Sequence, residues 1–297
     1  MKLEYNVNEQ KKYTTIRHVL KNEFGMSDRL ILRLKRASQI YCNGNAVTVN
    51  FPIHLGDNIL ADISFEEECE NIVPLKMNLD ILYEDEGLLV VNKGPNVPVH
   101  PSLNHYEDSL SNGIKYYFDT IGLKRKIRPI NRLDKDTSGI VLFAKNEYIQ
   151  ECLVKQMKTN TFQKEYLALV DGIITTPFQT VIAPIARKDT SIIERCVRDD
   201  GDYAETEIQL VNTFTNYSQI KCTLKTGRTH QIRVHTKHIG HPILGDTLYG
   251  KASSLICRQA LHAYKVTFIH PLTKETIKII CEPPEDIIKL INANQMQ

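Results

Sequence analysis

Short apolar runs bounded by turn formers mark the strands of this chain. Ile140 to Ala144 is the densest, an unbroken run with β-branched members that suits a strand buried on both faces. Leu88 to Val91 is a second such run, following Ile81, Leu82, Tyr83 and a turn at Asp85, Glu86 and Gly87. Glu205 to Val211 and Tyr217 to Leu224 alternate apolar with polar positions, as half-buried antiparallel strands do. Thr161 to Gly172 reads as a turn and then a strand, and Gln259 to Phe268 and Ile277 to Ile280 as two more. Helical spacing appears between them. Thr15 to Phe24 puts Ile16, Val19 and Leu20 on one face and ends at Gly25. Ser27 can cap a second helix with Leu30, Ile31 and Leu34 as its stripe. Ser109 to Phe118 and Tyr148 to Met157 are further helices, and a short one follows Pro283 and Pro284. Thr229 is a natural N-cap and Gly240 a natural stop, so His230 to Ile239 is expected to be helical.

The region from Tyr13 to about Ile63 stands apart as a small module. Its two helices precede strand-like segments at Gln39 to Cys42 and Ala46 to Val49, joined by an Asn43-Gly44-Asn45 turn, and a third at Asn58 to Ile63. The second helix carries Arg29, Arg33, Lys35 and Arg36 opposite its apolar stripe, a face that is either solvated or set against an anion. An acidic stretch, Glu66-Glu67-Glu68-Cys69-Glu70, then reads as a solvated linker. The expected organisation is a tail over 1–12, the module over 13–65, the linker over 66–75 and a large domain over 76–297.

With 297 residues, 42% of them hydrophobic, the chain can bury a large core in more than one domain. The net charge of +2 implies no overall attraction to nucleic acid, so any basic surface must be local. No apolar run approaches the roughly 20 residues of a membrane span, and the N-terminus lacks a signal-peptide core. The seven cysteines are odd in number, scattered and never in a Cys-x-x-Cys pair, as expected of reduced thiols in a cytoplasmic protein.

The chemistry is concentrated just before the apolar run. Arg132-Leu133-Asp134-Lys135-Asp136-Thr137-Ser138-Gly139 packs charge and turn formers into eight positions. A carboxylate on such a turn beside a core strand is held rigidly and partly shielded from water; the same letters also describe an ordinary solvated turn. Arg-Leu-Asp-x-x-Thr-Ser-Gly resembles the catalytic motif of the RluA-type pseudouridine synthases, in which the Asp is the nucleophile. Lys164-x-Tyr166-x-Ala168-Leu169-Val170-x-Gly172 resembles a second motif of that family. Gly227-Arg228-Thr229-His230-Gln231-Ile232-Arg233-Val234-His235, followed by His241-Pro242-Ile243-Leu244-Gly245-Asp246, resembles a third, and Ala260-Leu261-His262-Ala263 is also similar. Two departures are visible: Asn131 stands where the family often has His, and Lys93-Gly94-Pro95 rearranges a Lys-Pro-x-Gly loop.

The resemblance implies an α+β catalytic domain on a long mixed, mostly antiparallel sheet. It implies catalytic roles for Asp134, for Tyr166 stacking on the target base, and for Arg233 pairing with Asp134. Arg132, Arg228 and Thr229 would bind substrate. The N-terminal module resembles the alpha-L domain shared with ribosomal protein S-four, which implies that Arg29, Arg33, Lys35 and Arg36 lie along a folded RNA backbone. The expected partner is structured RNA, large-subunit ribosomal RNA ahead of tRNA, acted on by a monomer. Isomerising uridine neither oxidises nor hydrolyses anything overall, so no cofactor or metal is expected. His235, His238 and His241 invite a metal reading, but Gly240 and Pro242 break the helix before the third, and no zincin-type carboxylate accompanies them. Two other classes remain: a non-catalytic RNA-binding protein on the same scaffold, and a glycoside hydrolase using Asp136 as partner carboxylate.

Overall fold

A computed structural model describes residues 1–8, 13–102, 105–159 and 161–293. The first sheet is built from β1 (Lys2–Asn6), β2 (Ile40–Cys42), β3 (Asn45–Ala46) and β4 (Asn58–Asp62), in the order β1-β4-β2-β3, with α1 (Ile16–Asn22) and α2 (Asp28–Arg36) inserted after β1. The expected tail is therefore corrected. Residues 2–6 pair along the whole of β4, from Lys2 opposite Asp62 to Asn6 opposite Asn58; residues 9–12 lie outside the described part. The strand expected over 46–49 shortens to Asn45–Ala46 because the carbonyls of Val49 and Phe51 turn to accept the α1 amides of Arg17 (2.8 Å) and Ile16 (3.1 Å). Ser27 caps α2 as expected, its hydroxyl accepting from the Leu30 amide.

The large sheet contains β5 (Asp80–Glu84), β6 (Leu88–Lys93), β7 (Arg128–Pro129), β8 (Ser138–Ala144), β9 (Gln163–Asp171) and β10 (Phe178–Ile182). After a separate two-stranded ribbon of β11 (Ile185–Arg187) and β12 (Arg195–Val197), it gains β13 (Glu205–Thr213), β14 (Tyr217–Leu224), β15 (Leu261–Ile269) and β16 (Thr276–Ile280). The order is β10-β13-β14-β9-β15-β8-β6-β5, with β16 beside β15 and β7 beside β8. Every pair is antiparallel except β15 with β8. Four helices complete the chain: α3 (Leu110–Thr120), α4 (Glu147–Lys158), α5 (Gln231–His238) and α6 (Glu285–Asn292).

The unbroken apolar run is explained by two cores. All of β8 is buried. Val141 and Phe143, with Leu89 and Val91 of β6, face a core closed by α3, α5 and α6. Ile140, Leu142 and Ala144, with Leu88 and Val90, face the opposite core. That second core runs on through Tyr148, Ile149 and Leu153 of α4 into Val19, Leu20, Leu30 and Leu34 of the N-terminal helices. The module is thus docked on the sheet rather than flexibly attached. Hydrogen bonds from Lys155 to the Gly25 carbonyl and from the Ser27 amide to Glu151 (3.3 Å) cross the same contact.

The acidic stretch is not a plain solvated linker either. Glu67 has a side chain only 6% exposed and bonds Arg128 at 2.6 Å and Arg33 at 2.8 Å. Burial alone would raise its pKa, but the two guanidinium groups overcome that and hold it at about 2. Cys69 and Ile72 enter the first core.

Candidate active site

The Asp134 turn hangs between β7 and β8 and is gripped from three sides. Asn131 stands in for a ladder position: its Nδ2 donates to the Ile140 carbonyl and its Oδ1 accepts from the Leu142 amide, both at 2.9 Å. Lys93, almost wholly buried, donates from Nζ to the carbonyls of Gly94 (2.7 Å) and Lys135 (2.8 Å). Desolvation pushes its pKa down to about 7. Arg258 donates to the Asp136 carbonyl at 3.0 Å while its Nε and Nη2 hold Asp286 of α6. Gly139 then lets β8 pass close to β15. A Cβ there would stand 2.3 Å from the Ala263 carbonyl oxygen, at a φ of +111°.

The opposite wall comes from the segment entering α5. The cap expected at Thr229 is corrected: His230 precedes the helix in the left-handed region, φ 58°, and Thr229 is an exposed turn residue. Gln231 fixes this turn instead, its Oε1 accepting from the Arg228 amide (2.9 Å) and the Thr226 hydroxyl (2.8 Å). The end of α5 is as expected. The His241 amide reaches the Thr236 carbonyl and the Gly240 amide reaches that of Lys237, a Schellman closure. His235 is buried between Thr206 and the Ala183 carbonyl, and His241 faces the Asp171 carbonyl.

One turn into α5, Arg233 joins the two walls. Its Nη1 donates to Asp134 Oδ2 at 2.8 Å, and its Nε and Nη2 grip both oxygens of Asp246 at 2.7 and 2.8 Å. Asp246 is fully enclosed and also accepts from the amides of Leu248 (3.0 Å) and Tyr249 (3.2 Å). The Tyr249 ring lies 4.9 Å beneath the guanidinium. The Tyr249 hydroxyl oxygen accepts from the Arg195 amide at 2.8 Å and lies 2.8 Å from His230 Nδ1. His230 Nε2 in turn stands 3.8 Å from Asp134 Oδ1. Burial lowers the His230 pKa, against the pull of Asp134.

Asp134 itself is a quarter exposed, opening onto a cleft of about 540 Å³. Tyr166 on β9 lines it, buried, with its pKa raised by desolvation and then by Asp134. Arg132, Arg228, Thr229 and Arg233 line it too, so all six residues expected to be catalytic or substrate-binding share one cleft. Arg132 is exposed at the rim and makes no hydrogen bond or ion pair among the described residues. Arg228 is tethered to the Tyr203 carbonyl (2.9 Å) and to Asp202 (3.5 Å).

A family model described as RNA pseudouridylate synthase matches residues 87–238. The chain belongs to that family. It is 40% identical over 270 residues to the Bacillus subtilis (strain 168) RNA pseudouridine synthase YjbO, covering 91% of this chain and 95% of that one. It is 36% identical over 252 residues to the ribosomal large subunit pseudouridine synthase D of Haemophilus ducreyi, covering 80% and 77%. The fold is similar to human RNA pseudouridylate synthase domain containing 1, with a TM-score of 0.58, 24% identity and coverage of 74% of this chain and 96% of that one. This synthase is therefore an isomerase that converts uridine to pseudouridine in RNA.

The basic residues of the synthase's α2 lie elsewhere, and three of them line a groove between that helix and residues 65–68. Arg33 is held by Glu67 and Glu147 and lies 3.9 Å over the Phe65 ring; Arg29 bonds Glu147 at 3.2 Å. Lys35 and Arg36 are exposed without an ion pair among the described residues. Sequence reasoning gave no role to Asp246, Tyr249, Arg258 or His230. One signal was available for the first: a buried guanidinium has five donors and needs more than one carboxylate.

Proposed function

We propose that Asp134 is the reacting carboxylate of this synthase and that large-subunit ribosomal RNA is its substrate. The observation that carries the first part is the Asp134–Arg233 contact at 2.8 Å, opening on the cleft that Tyr166 lines. Arg233 aims Asp134 through its hydrogen bond at 2.8 Å, and Asp246 and Tyr249 keep Arg233 from swinging away. A uridine stacked in RNA cannot reach this carboxylate and must be flipped out, at a cost of a few kcal/mol. Stacking on Tyr166 returns about 1–3 kcal/mol of that. Arg132, unpaired at the rim, supports the flipped state by filling the space the base leaves, and Arg228 and Thr229 bind the flanking nucleotides. Between cleavage of the bond to N1 and rejoining at C5, the loose base stays between Tyr166 and the Asp134 turn.

The region over residues 13–65 acts as an RNA-binding module of the S-four type on the catalytic domain over 76–297. Lys35 and Arg36, which make no ion pair among the described residues, face the RNA, while Arg29 and Arg33 serve the docking contact. One chain supplies the whole site, in keeping with a monomer working in the cytoplasm, and the chemistry requires no cofactor. Support for the substrate comes from the relatives named for the large ribosomal subunit. Mapping pseudouridines in ribosomal and transfer RNA from cells with and without the gene tests this. Loss of a large-subunit site is expected; an unchanged large subunit with a lost tRNA site would overturn the substrate assignment.

A further inference from the structure

We propose that Lys164 is a substrate-binding residue of this cleft, its ammonium group holding a backbone phosphate beside the flipped uridine. The inference rests on the reading that the cleft receives such a nucleotide. Lys164 and Tyr166 are two apart on β9 and so share a face, the one that lines the cleft. Glu165, between them, points the other way, to Lys265 and to Lys221 at 3.7 Å. Lys164 is thus denied the nearest carboxylate.

Its position is unlike that of the paired cations around the cleft, and unlike that of Arg132, which makes no ion pair among the described residues but is exposed at the rim. Lys225 is paired with Glu207 at 2.9 Å, Arg228 with Asp202, and Arg233 with two carboxylates. Among the described residues the Lys164 ammonium makes no hydrogen bond and no ion pair, yet it is largely withdrawn from water, and desolvation alone lowers its pKa. A sheltered ammonium without a counter-charge is costly in the free protein, and the cost is relieved when an anion arrives. Space for the group is provided at Gly227: a Cβ there would stand 3.3 Å from Lys164 Nζ. The polyanionic substrate of this synthase supplies the missing partner, a phosphate one step along the wall from the base stacked on Tyr166.

The test uses the full-length protein, Lys164→Met and Gly227→Ala, with a substrate RNA carrying tritium at uracil C5. Binding is measured across a salt series, and tritium release at saturating and limiting RNA. Removing one phosphate contact makes the slope of log K against log salt shallower by about 0.7. Lys164→Met should do this and weaken low-salt binding on the order of tenfold. Gly227→Ala, which presses on the ammonium without removing it, should move both readings the same way by less. A slope identical to wild type in Lys164→Met, at an unchanged melting temperature, overturns the proposal and leaves Lys164 a contact to a neutral group. Should Lys164→Met fail to fold, an unchanged slope in Gly227→Ala has the same force. Absence of tritium release from the wild type would instead refute the reading of the cleft itself.

Discussion

Replacing Asp246 with Asn probes the support of the active site without touching Asp134. Oδ1 of Asp246 accepts from Arg233 Nη2 and from the amides of Leu248 and Tyr249; Oδ2 accepts from Arg233 Nε. An asparagine keeps the Oδ1 contacts. It places an NH2 group where Oδ2 stood, donor against donor with Arg233 Nε. The main loss is therefore the charge, in a place with no exposed side-chain surface. Breaking one partner out of a buried ion pair typically costs about 3–5 kcal/mol. Here Asp134 remains as a second counter-charge, so a value near the lower end, about 3 kcal/mol, is expected in urea unfolding. Arg233 also loses the anchor that aims it. The turnover of tritium release should fall by about 10², with KM within a few-fold of wild type because Asp246 is enclosed away from the RNA. Stability within 1 kcal/mol of wild type together with turnover within threefold would refute this account of Arg233.

Tyr166→Phe should keep most activity because the stacking ring remains, whereas Tyr166→Ala should lose about 1–3 kcal/mol in kcat/KM, or roughly 5- to 150-fold; equal losses in both would point to the hydroxyl instead. Gly139→Ala should leave little folded protein in a soluble-expression and circular-dichroism assay, because its Cβ meets the Ala263 backbone; a melting temperature equal to wild type would contradict the packing described. Glu67 has a folded pKa of about 2, below its ordinary value of 4.5. Its contribution is thus fully present above about pH 4.5 and is lost as pH falls toward 2. Glu67→Gln should therefore destabilise the protein by on the order of 2 kcal/mol near neutral pH, and the gap should close in acid; a gap constant with pH would show that the charge is not what docks the acidic stretch.

Much of the candidate site was legible because the residues proposed for it sit in local motifs that resemble those of the family. Asp134 lies on a turn before an apolar run, Tyr166 alternates inward on a strand, and Arg233 lies on a short helix closed by Gly240. These local features were expected, and the cleft gathers all three side chains. What was not legible depends on distant contacts. Nothing near Lys2 announces that residues 2–6 complete a sheet with β4, more than fifty positions away. The run Glu66 to Glu70 looks solvated until Arg33 and Arg128 come from separate elements to bury Glu67. Reading Thr229 as a cap followed from residue preference, but Gln231 supplied the turn's hydrogen bonds and His230 took the left-handed position. The Arg29 and Arg33 side of α2 looked free for RNA because Glu147 lies over a hundred residues on.

The most direct test of the central claim is tritium release from C5-labelled large-subunit RNA taken from cells lacking the protein, with wild type beside Asp134→Asn. The account predicts release by the wild type, none above background by the variant, equal RNA binding by both, and no free uracil. Release by Asp134→Asn at the wild-type rate would contradict it, and would move the chemistry away from this carboxylate.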